Sequence, residues 1–299
     1  MRFICQYPET NGSAGDMLDV GPPADLAVAA EASGFDGIAF TEHPAPGARW
    51  LDAGGHQTLD PFVALAHVAA VTRRLRLLTN LAVVPYRNPL LLAKAAASVD
   101  RLSNGRLILG VGTGYLQGEF RALGVDFAAR NERFDEALDV MALHWSGEAF
   151  SYEGRDFVAK EVRALPRPVQ DPVPIWIGGN SAISRHRAAT RAQGWLPLTS
   201  HADISKTTRT PHLGLGEDLA DRIRELRADA ASHDRRVEVA VAYTDPAIAQ
   251  PDRDVARHRD EFERLASIGV DWAIVPAPAA VYPAPLTWIE SFASRYIDR

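Results

Sequence analysis

The sequence predicts an α/β chain folded as one (β/α)₈ TIM barrel with insertion segments, its active site lying at the C-terminal ends of the strands. Three observations predict it. Short apolar runs alternate with longer helical segments along the whole chain; eight such β-like runs are present; and glycine-rich turns follow several different runs. A doubly wound sheet, the rival for such a pattern, would present its glycine fingerprint near the N-terminus. The 299 residues exceed the ~250 of a bare barrel, which leaves room for insertions. The expected organisation is one domain, 1–299.

In chain order, Phe3 to Tyr7 reads as a strand and Pro22 to Ser33 as the helix behind it, closed by Gly34. Asp36 to Thr41 is the second strand. Asp60 as N-cap and Pro61 at N1 open a helix to about Val71. Leu75 to Thr79 is the third strand, and Asn88-Pro89 opens a helix through Leu102. Arg106 to Val111 is the fourth strand. Asn131 is expected to cap an amphipathic helix with Phe134, Leu138, Met141, Ala142 and Trp145 on its apolar face.

Residues 147–172 break the rhythm with Gly147, Gly154 and three prolines, and read as a hairpin followed by an irregular link. Val173 to Ile177 resumes the pattern, followed by the helix Ala182 to Ala192 and the strand Trp195 to Leu198. His201 to Leu215 has weak periodicity and reads as an insertion loop, a lid over the site. Glu217 to Ser232 and Val255 to Ile268 are helical, Val237 to Ala242 and Asp271 to Val275 are strands, and Thr287 to Ile297 closes the chain as a helix.

Composition narrows the function classes. Apolar residues make up 46% and charged residues 23%, the balance of a folded globular protein. Net charge is −6, and only Lys94, Lys160 and Lys206 are lysines, so no basic run marks a nucleic-acid footprint. Cys5 is the only cysteine, which excludes an intrachain disulfide and a cysteine metal cluster. No run reaches the ~18 apolar residues of a membrane span, and the N-terminus is too briefly apolar for a signal peptide. The expected location is the cytoplasm. The histidines are scattered without ligand spacing, so no metal is expected.

Four segments fall where a barrel places its chemistry. Thr41-Glu42-His43-Pro44 ends the second strand; His43 suits proton transfer, and Glu42 is expected to orient it. Gly110-Val111-Gly112-Thr113-Gly114 allows close backbone approach to a planar ring or phosphate. Gly178-Gly179-Asn180-Ser181 stands at a helix N-terminus and offers amides and hydroxyls to a phosphate, with Arg185 close in sequence. Asn80-Leu81 begins an apolar rim segment that could line one face of a heterocycle. Each segment has a bland reading beside the sharp one: a turn, a helix cap or a packed loop.

Taken together, Phe40-Thr41-Glu42-His43, Thr79-Asn80-Leu81 with Asn88-Pro89, Asn104-Gly105-Arg106 through Gly114, Pro174 through Gly179, and Gly194-Trp195 resemble the luciferase-like superfamily of flavin- or deazaflavin-dependent oxidoreductases. The resemblance is clearest over residues 1–200. It implies a TIM barrel, commonly a homodimer, that binds coenzyme F420 or FMN at the C-terminal rim, with a small-molecule substrate and neither a nucleic-acid nor a membrane partner. It implies a non-prolyl cis peptide at Asn80-Leu81 behind the cofactor ring, with Thr79 beside it. It implies cofactor contacts from Gly112, Thr113 and Gly114, a phosphate-proximal loop at Gly178, Gly179, Asn180 and Ser181, and catalytic roles for His43 and Glu42.

The run from Asn104 to Gly124, continuing through Arg130-Asn131-Glu132-Arg133, looks most like the F420-dependent group, so the implied reaction is hydride transfer between F420 and a small organic substrate. Tyr115 departs from the pattern, standing where sugar-phosphate dehydrogenases of the group carry a glutamate. That departure and the scarcity of lysines argue against a phosphorylated substrate. The alternatives are an FMN-dependent monooxygenase using O₂ and a non-catalytic barrel that binds a phosphorylated ligand. Substrate choice is expected to rest on Trp50, the 201–215 loop and the Pro276 to Pro285 loop.

Overall fold

The computed structural model describes residues 1–10, 15–199, 208 and 210–297. Eight parallel strands close a barrel: β1 (Arg2–Gln6), β2 (Gly37–Phe40), β3 (Arg76–Thr79), β5 (Leu107–Gly112), β8 (Ile175–Gly178), β9 (Gly194–Leu196), β10 (Glu238–Ala242) and β11 (Trp272–Pro276). The ring closes where β3 meets β5, with Leu77 opposite Leu107 and Leu78 opposite Ile108. β4 (Ala82–Val83) continues β3 beyond a bend and pairs with the end of β5, Ala82 opposite Val111 and Val83 opposite Gly112. The sequence reading took that segment as a rim loop.

The strands are buried on both faces, as a parallel sheet wrapped in helices requires. One face of each strand fills the barrel interior with Ile4, Ala39, Leu78, Ile108, Trp176, Leu196, Ala240, Trp272 and Ile274. Trp176 and Trp272 meet there edge to face at 5.4 Å. The opposite faces pack on the helices α1 (Pro23–Ser33), α3 (Pro61–Val71), α4 (Pro89–Leu102), α6 (Arg130–Ser146), α7 (Ala182–Arg191), α8 (Glu217–Ser232), α9 (Val255–Ser267) and α10 (Ala284–Tyr296). Two short helices, α2 (Ala48–Asp52) and α5 (Gln117–Ala122), sit in the loops after β2 and β5.

Several local expectations hold for the reasons given. Asp60 caps α3 by accepting from the Phe62 and Val63 amides, and Asn88 caps α4 by accepting from Leu90. Two are corrected. Asn131 is not a cap: α6 begins at Arg130 behind Ala129, and the Asn131 side-chain oxygen Oδ1 accepts from Arg187 instead. Ala142 faces solvent, and Ala137 takes the buried place on that helix.

Residues 147–172 do form a hairpin, β6 (Ala149–Glu153) against β7 (Val158–Arg163), antiparallel and outside the barrel. The buried Glu136 carboxylate pins its turn by accepting from the Asp156 and Phe157 amides. The expected 201–215 loop lies largely outside the described residues.

The Asn104-Gly105-Arg106 segment belongs to the opposite, N-terminal end of the barrel. Arg106 is buried and donates to the carbonyls of Ala69, Thr72, Leu75 and Ser103 and to the Thr72 hydroxyl. It thereby satisfies carbonyls at the C-terminus of α3 that have no partner within that helix. At that end of the barrel the motif serves the fold and not the chemistry. Among the described residues, no helix is long and apolar enough to cross a membrane, and no cluster could hold a metal.

Candidate active site at the strand ends

The site is built where β2, β3, β5 and β8 end. His43 follows β2 and is held by its backbone: its amide donates to the Thr58 hydroxyl at 3.0 Å, and its carbonyl accepts from that hydroxyl at 3.3 Å. Its ring lies 4.5 Å from Trp50, 5.0 Å from His56 and 6.0 Å from Tyr115, centre to centre. Nδ1 is 3.2 Å from Glu119 Oε2.

Glu119 was not picked out by the sequence. It lies on α5 with no solvent exposure, where Oε1 accepts from the Ala45 amide and Oε2 from the Tyr86 hydroxyl. Burial beside this carboxylate pushes the Tyr86 phenol far above its ordinary value, so the hydroxyl stays a donor. A carboxylate facing Nδ1 selects the tautomer with its proton there, which leaves Nε2 as the free, basic nitrogen.

The orienting role expected of Glu42 therefore falls to Glu119. Glu42 is buried, with one oxygen accepting from the Val83 amide at 2.7 Å and the other bound by Arg87. It ties the end of β2 to β4 and the turn beyond it. Burial raises its pKa, against the opposing pull of Arg87.

The Asn80–Leu81 peptide bond is cis. Beneath it Thr79 is fully buried, its hydroxyl spent on the Gly110 carbonyl at 2.7 Å. The Asn80 side chain turns to β1, donating to Gln6 Oε1 at 2.9 Å. Leu81 sits across the ends of β5 and β8, and this explains two of the glycines. A Cβ on Gly112 would come within 2.6 Å of Leu81 Cδ1, and one on Gly178 within 2.3 Å of Leu81 Cδ2. The glycines thus make room for Leu81, and the Leu81 side chain, half-buried, forms the floor.

The loop after β8 divides its labour. Asn180 is buried and committed: Nδ2 donates to the Leu198 and Pro211 carbonyls, and Oδ1 accepts from the Leu198 amide. It braces the segments after β9 and has no side-chain capacity left for a phosphate. Arg185 is turned to the Asn180 carbonyl and to Glu225. Ser181 caps α7 and pairs with the Ser184 hydroxyl at 2.8 Å. The Gly179 turn, in the left-handed region at φ 106°, gives its amide to the Leu196 carbonyl and its own carbonyl accepts from Trp195 Nε1. The Ser184 amide goes to the Ser181 hydroxyl, and the Ala182 and Ile183 amides at the start of α7 lack intrahelical partners. Thr113 and Gly114 are half-buried on the adjoining loop.

A glycine-relieved apolar floor, a histidine held at the end of β2 and a helix N-terminus on one rim match the needs of a flat heterocycle carrying a phosphate. The comparisons agree with that geometry. The family model described as luciferase-like monooxygenase matches residues 2–268. This chain belongs to the luciferase-like monooxygenase family.

Among its relatives, an uncharacterized protein of Mycobacterium tuberculosis is 34% identical over 183 residues, 57% of this chain and 63% of that protein. The match thus spans less than two thirds of that relative's length. An F420-dependent glucose-6-phosphate dehydrogenase of Gordonia bronchialis is 29% identical over 79% of this chain and 69% of its own. Among solved structures, the monooxygenase RslO1 from Streptomyces bottropensis superposes with a TM-score of 0.79 at 23% identity, covering 99% of this chain and 98% of its own. That likeness shows the barrel with its insertions shared end to end.

Proposed function

We propose that this luciferase-like protein is an F420-dependent oxidoreductase that transfers a hydride between the deazaflavin and a small, uncharged organic substrate. The observation that carries the reading is the rim itself. Leu81 lies over Gly112 and Gly178 at the ends of β5 and β8, and His43 stands at the end of β2 with Glu119 behind it. The relationship to F420-dependent dehydrogenases supports the choice of cofactor.

In this reading Leu81, Thr113 and Gly114 border the ring, and Ser181 with the Ala182 and Ile183 amides that open α7 receives the phosphate. When bound, the deazaflavin supplies a hydride acceptor or donor. The protein's own part is positioning and proton transfer. Glu119 fixes the His43 tautomer so that Nε2 accepts the substrate hydroxyl proton on oxidation or, when protonated, returns one on reduction. Trp50 and Tyr115 wall the substrate side, and burial pushes the Tyr115 phenol up to about 12, so it stays neutral. Tyr115 and the scarcity of nearby lysine argue against the phosphorylated sugar implied by the names of two relatives.

The test is a separate titration of the purified protein with F420 and with FMN, followed by ring fluorescence. Saturable F420 binding is expected. Tight FMN binding without F420 binding would move the protein to flavin monooxygenase chemistry. Binding of neither would leave the phospho-ligand barrel.

A further inference from the structure

Tyr86 stands one contact behind Glu119, at a position the sequence does not single out. It ends the short turn Val84–Tyr86 that follows β4. Its ring is buried beside Val83 and meets Phe120 edge to face at 4.8 Å. Its hydroxyl donates to Glu119 Oε2 at 2.7 Å, the same oxygen that lies 3.2 Å from His43 Nδ1.

The turn is clamped on both sides of Tyr86 from the end of β2. One Glu42 oxygen accepts from the Val83 amide at 2.7 Å, and the other binds Arg87. Residues 83 and 87 flank Tyr86, so the chain neighbour of His43 fixes the turn that carries the donor. The Ala45 amide occupies Glu119 Oε1 at 3.2 Å. Among the described residues no arginine or lysine pairs with Glu119, so its buried carboxylate is met by the His43 ring and hydrogen-bond donors alone.

We propose that Tyr86 is a positioning residue for proton transfer: its bond to Glu119 Oε2 holds the imidazole proton on Nδ1 and keeps Nε2 of His43 free to accept. The proposal rests on the oxidoreductase reading above, in which His43 moves the substrate proton.

The reason is competition for one oxygen. While Nε2 is free, Oε2 carries the charge of the carboxylate and gains most from a hydroxyl donor. Once Nε2 is protonated, the pair is imidazolium beside carboxylate or imidazole beside carboxylic acid, and in both forms the charge on Oε2 is already offset. Tyr86 therefore stabilises the form with Nε2 free. Burial, then the bond to Glu119, raises the Tyr86 phenol, so it keeps its own proton. Other titratable groups face this chain of contacts: Glu42, Arg87 and Asp60 around the Tyr86 turn, Tyr115 from the loop after β5, and Glu9 and His56 beside His43. Among the described residues, Tyr86 and His43 are the two groups bonded at Oε2.

The test is nitrogen NMR of the imidazoles in the whole protein without cofactor, with His43→Asn assigning the His43 signals. Wild type is expected to show Nδ1 protonated and Nε2 free on the alkaline side of its titration. Tyr86→Phe should move the midpoint of that titration to higher pH by about one unit, the span of one hydrogen bond to a charged oxygen. Tyr86→3-fluorotyrosine, a stronger donor of nearly the same shape, should move it to lower pH. A merely structural role would not reverse sign between the two, and the second variant decides alone if the first does not fold. An unmoved midpoint in either folded variant, shifts of the same sign, or a wild-type His43 with its proton on Nε2 overturns the proposal. F420 titration of wild type, followed by ring fluorescence, separates the two claims: absence of F420 binding sinks the cofactor reading, whereas the nitrogen spectra judge Tyr86.

Discussion

His43 Nδ1 and Glu119 Oε2 meet at 3.2 Å across 76 positions of chain, and this contact fixes which nitrogen of the histidine faces the site. Glu119 also receives the Tyr86 hydroxyl and the Ala45 amide, so its geometry is over-determined. Replacing it by glutamine keeps the volume but gives His43 a group that can turn its NH₂ toward Nδ1. Turnover should fall on the order of 10²-fold, as for loss of a properly oriented acid–base group, while F420 affinity in a fluorescence titration stays within error. His43→Asn should cost at least as much. Unchanged turnover in both variants would remove this pair from the mechanism.

Gly178→Ala tests the floor. The new methyl would sit 2.3 Å from Leu81 Cδ2, and the leucine must swing into the space above the floor. F420 affinity should weaken ~10-fold, equivalent to ~1.4 kcal/mol, with circular dichroism unchanged. Ser181→Ala, which removes only a cap and a hydroxyl, should weaken it less.

Arg106 makes a prediction about stability alone. Its guanidinium satisfies carbonyls of Ala69, Thr72, Leu75 and Ser103 from a buried position. Arg106→Met strands those acceptors and should cost about 3 kcal/mol or more in urea unfolding. F420 binding by the folded fraction should be retained, because the residue lies at the far end of the barrel.

Glu9 and His56, with Oε2 and Nε2 3.3 Å apart, have opposite signatures in the pH dependence of stability. Glu9 is raised from 4.5 to about 7, so its contribution is complete below pH 4.5 and is lost as pH rises to 7. His56 is lowered from 6.5 to about 4, so its contribution is complete above pH 6.5 and is lost as pH falls to 4. Between about pH 4.5 and 6.5 the two slopes oppose each other in wild type. In that window, Glu9→Gln should gain stability as pH rises and His56→Asn should lose it. Chemical denaturation at a series of pH values reads both signs, and parallel slopes in the two variants would contradict the assignment.

The barrel was legible because its signals are local. Strand and helix periods, the Asp60-Pro61 and Asn88-Pro89 starts and the Gly34 stop each act within a few residues, and the helix Glu217–Ser232 falls where its pattern put it. Local signals also misled in places. Asn131 has the chemistry of a cap, but a buried arginine on the neighbouring helix claimed it.

The sequence by itself determined the parallel barrel, the rim position of His43 and the glycine turns, along with the site of the cis Asn80–Leu81 bond through family resemblance. Only the tertiary structure decided how the polar groups are shared. Glu42, Thr79 and Asn180 have side chains suited to a ligand, yet each is spent bracing the strand ends. Glu119, Glu9 and His56, unremarkable in the sequence, converge on His43. A buried donor or acceptor must find a partner. Which partner it finds is set by side chains arriving from strands far apart in the chain, and no local pattern records that choice.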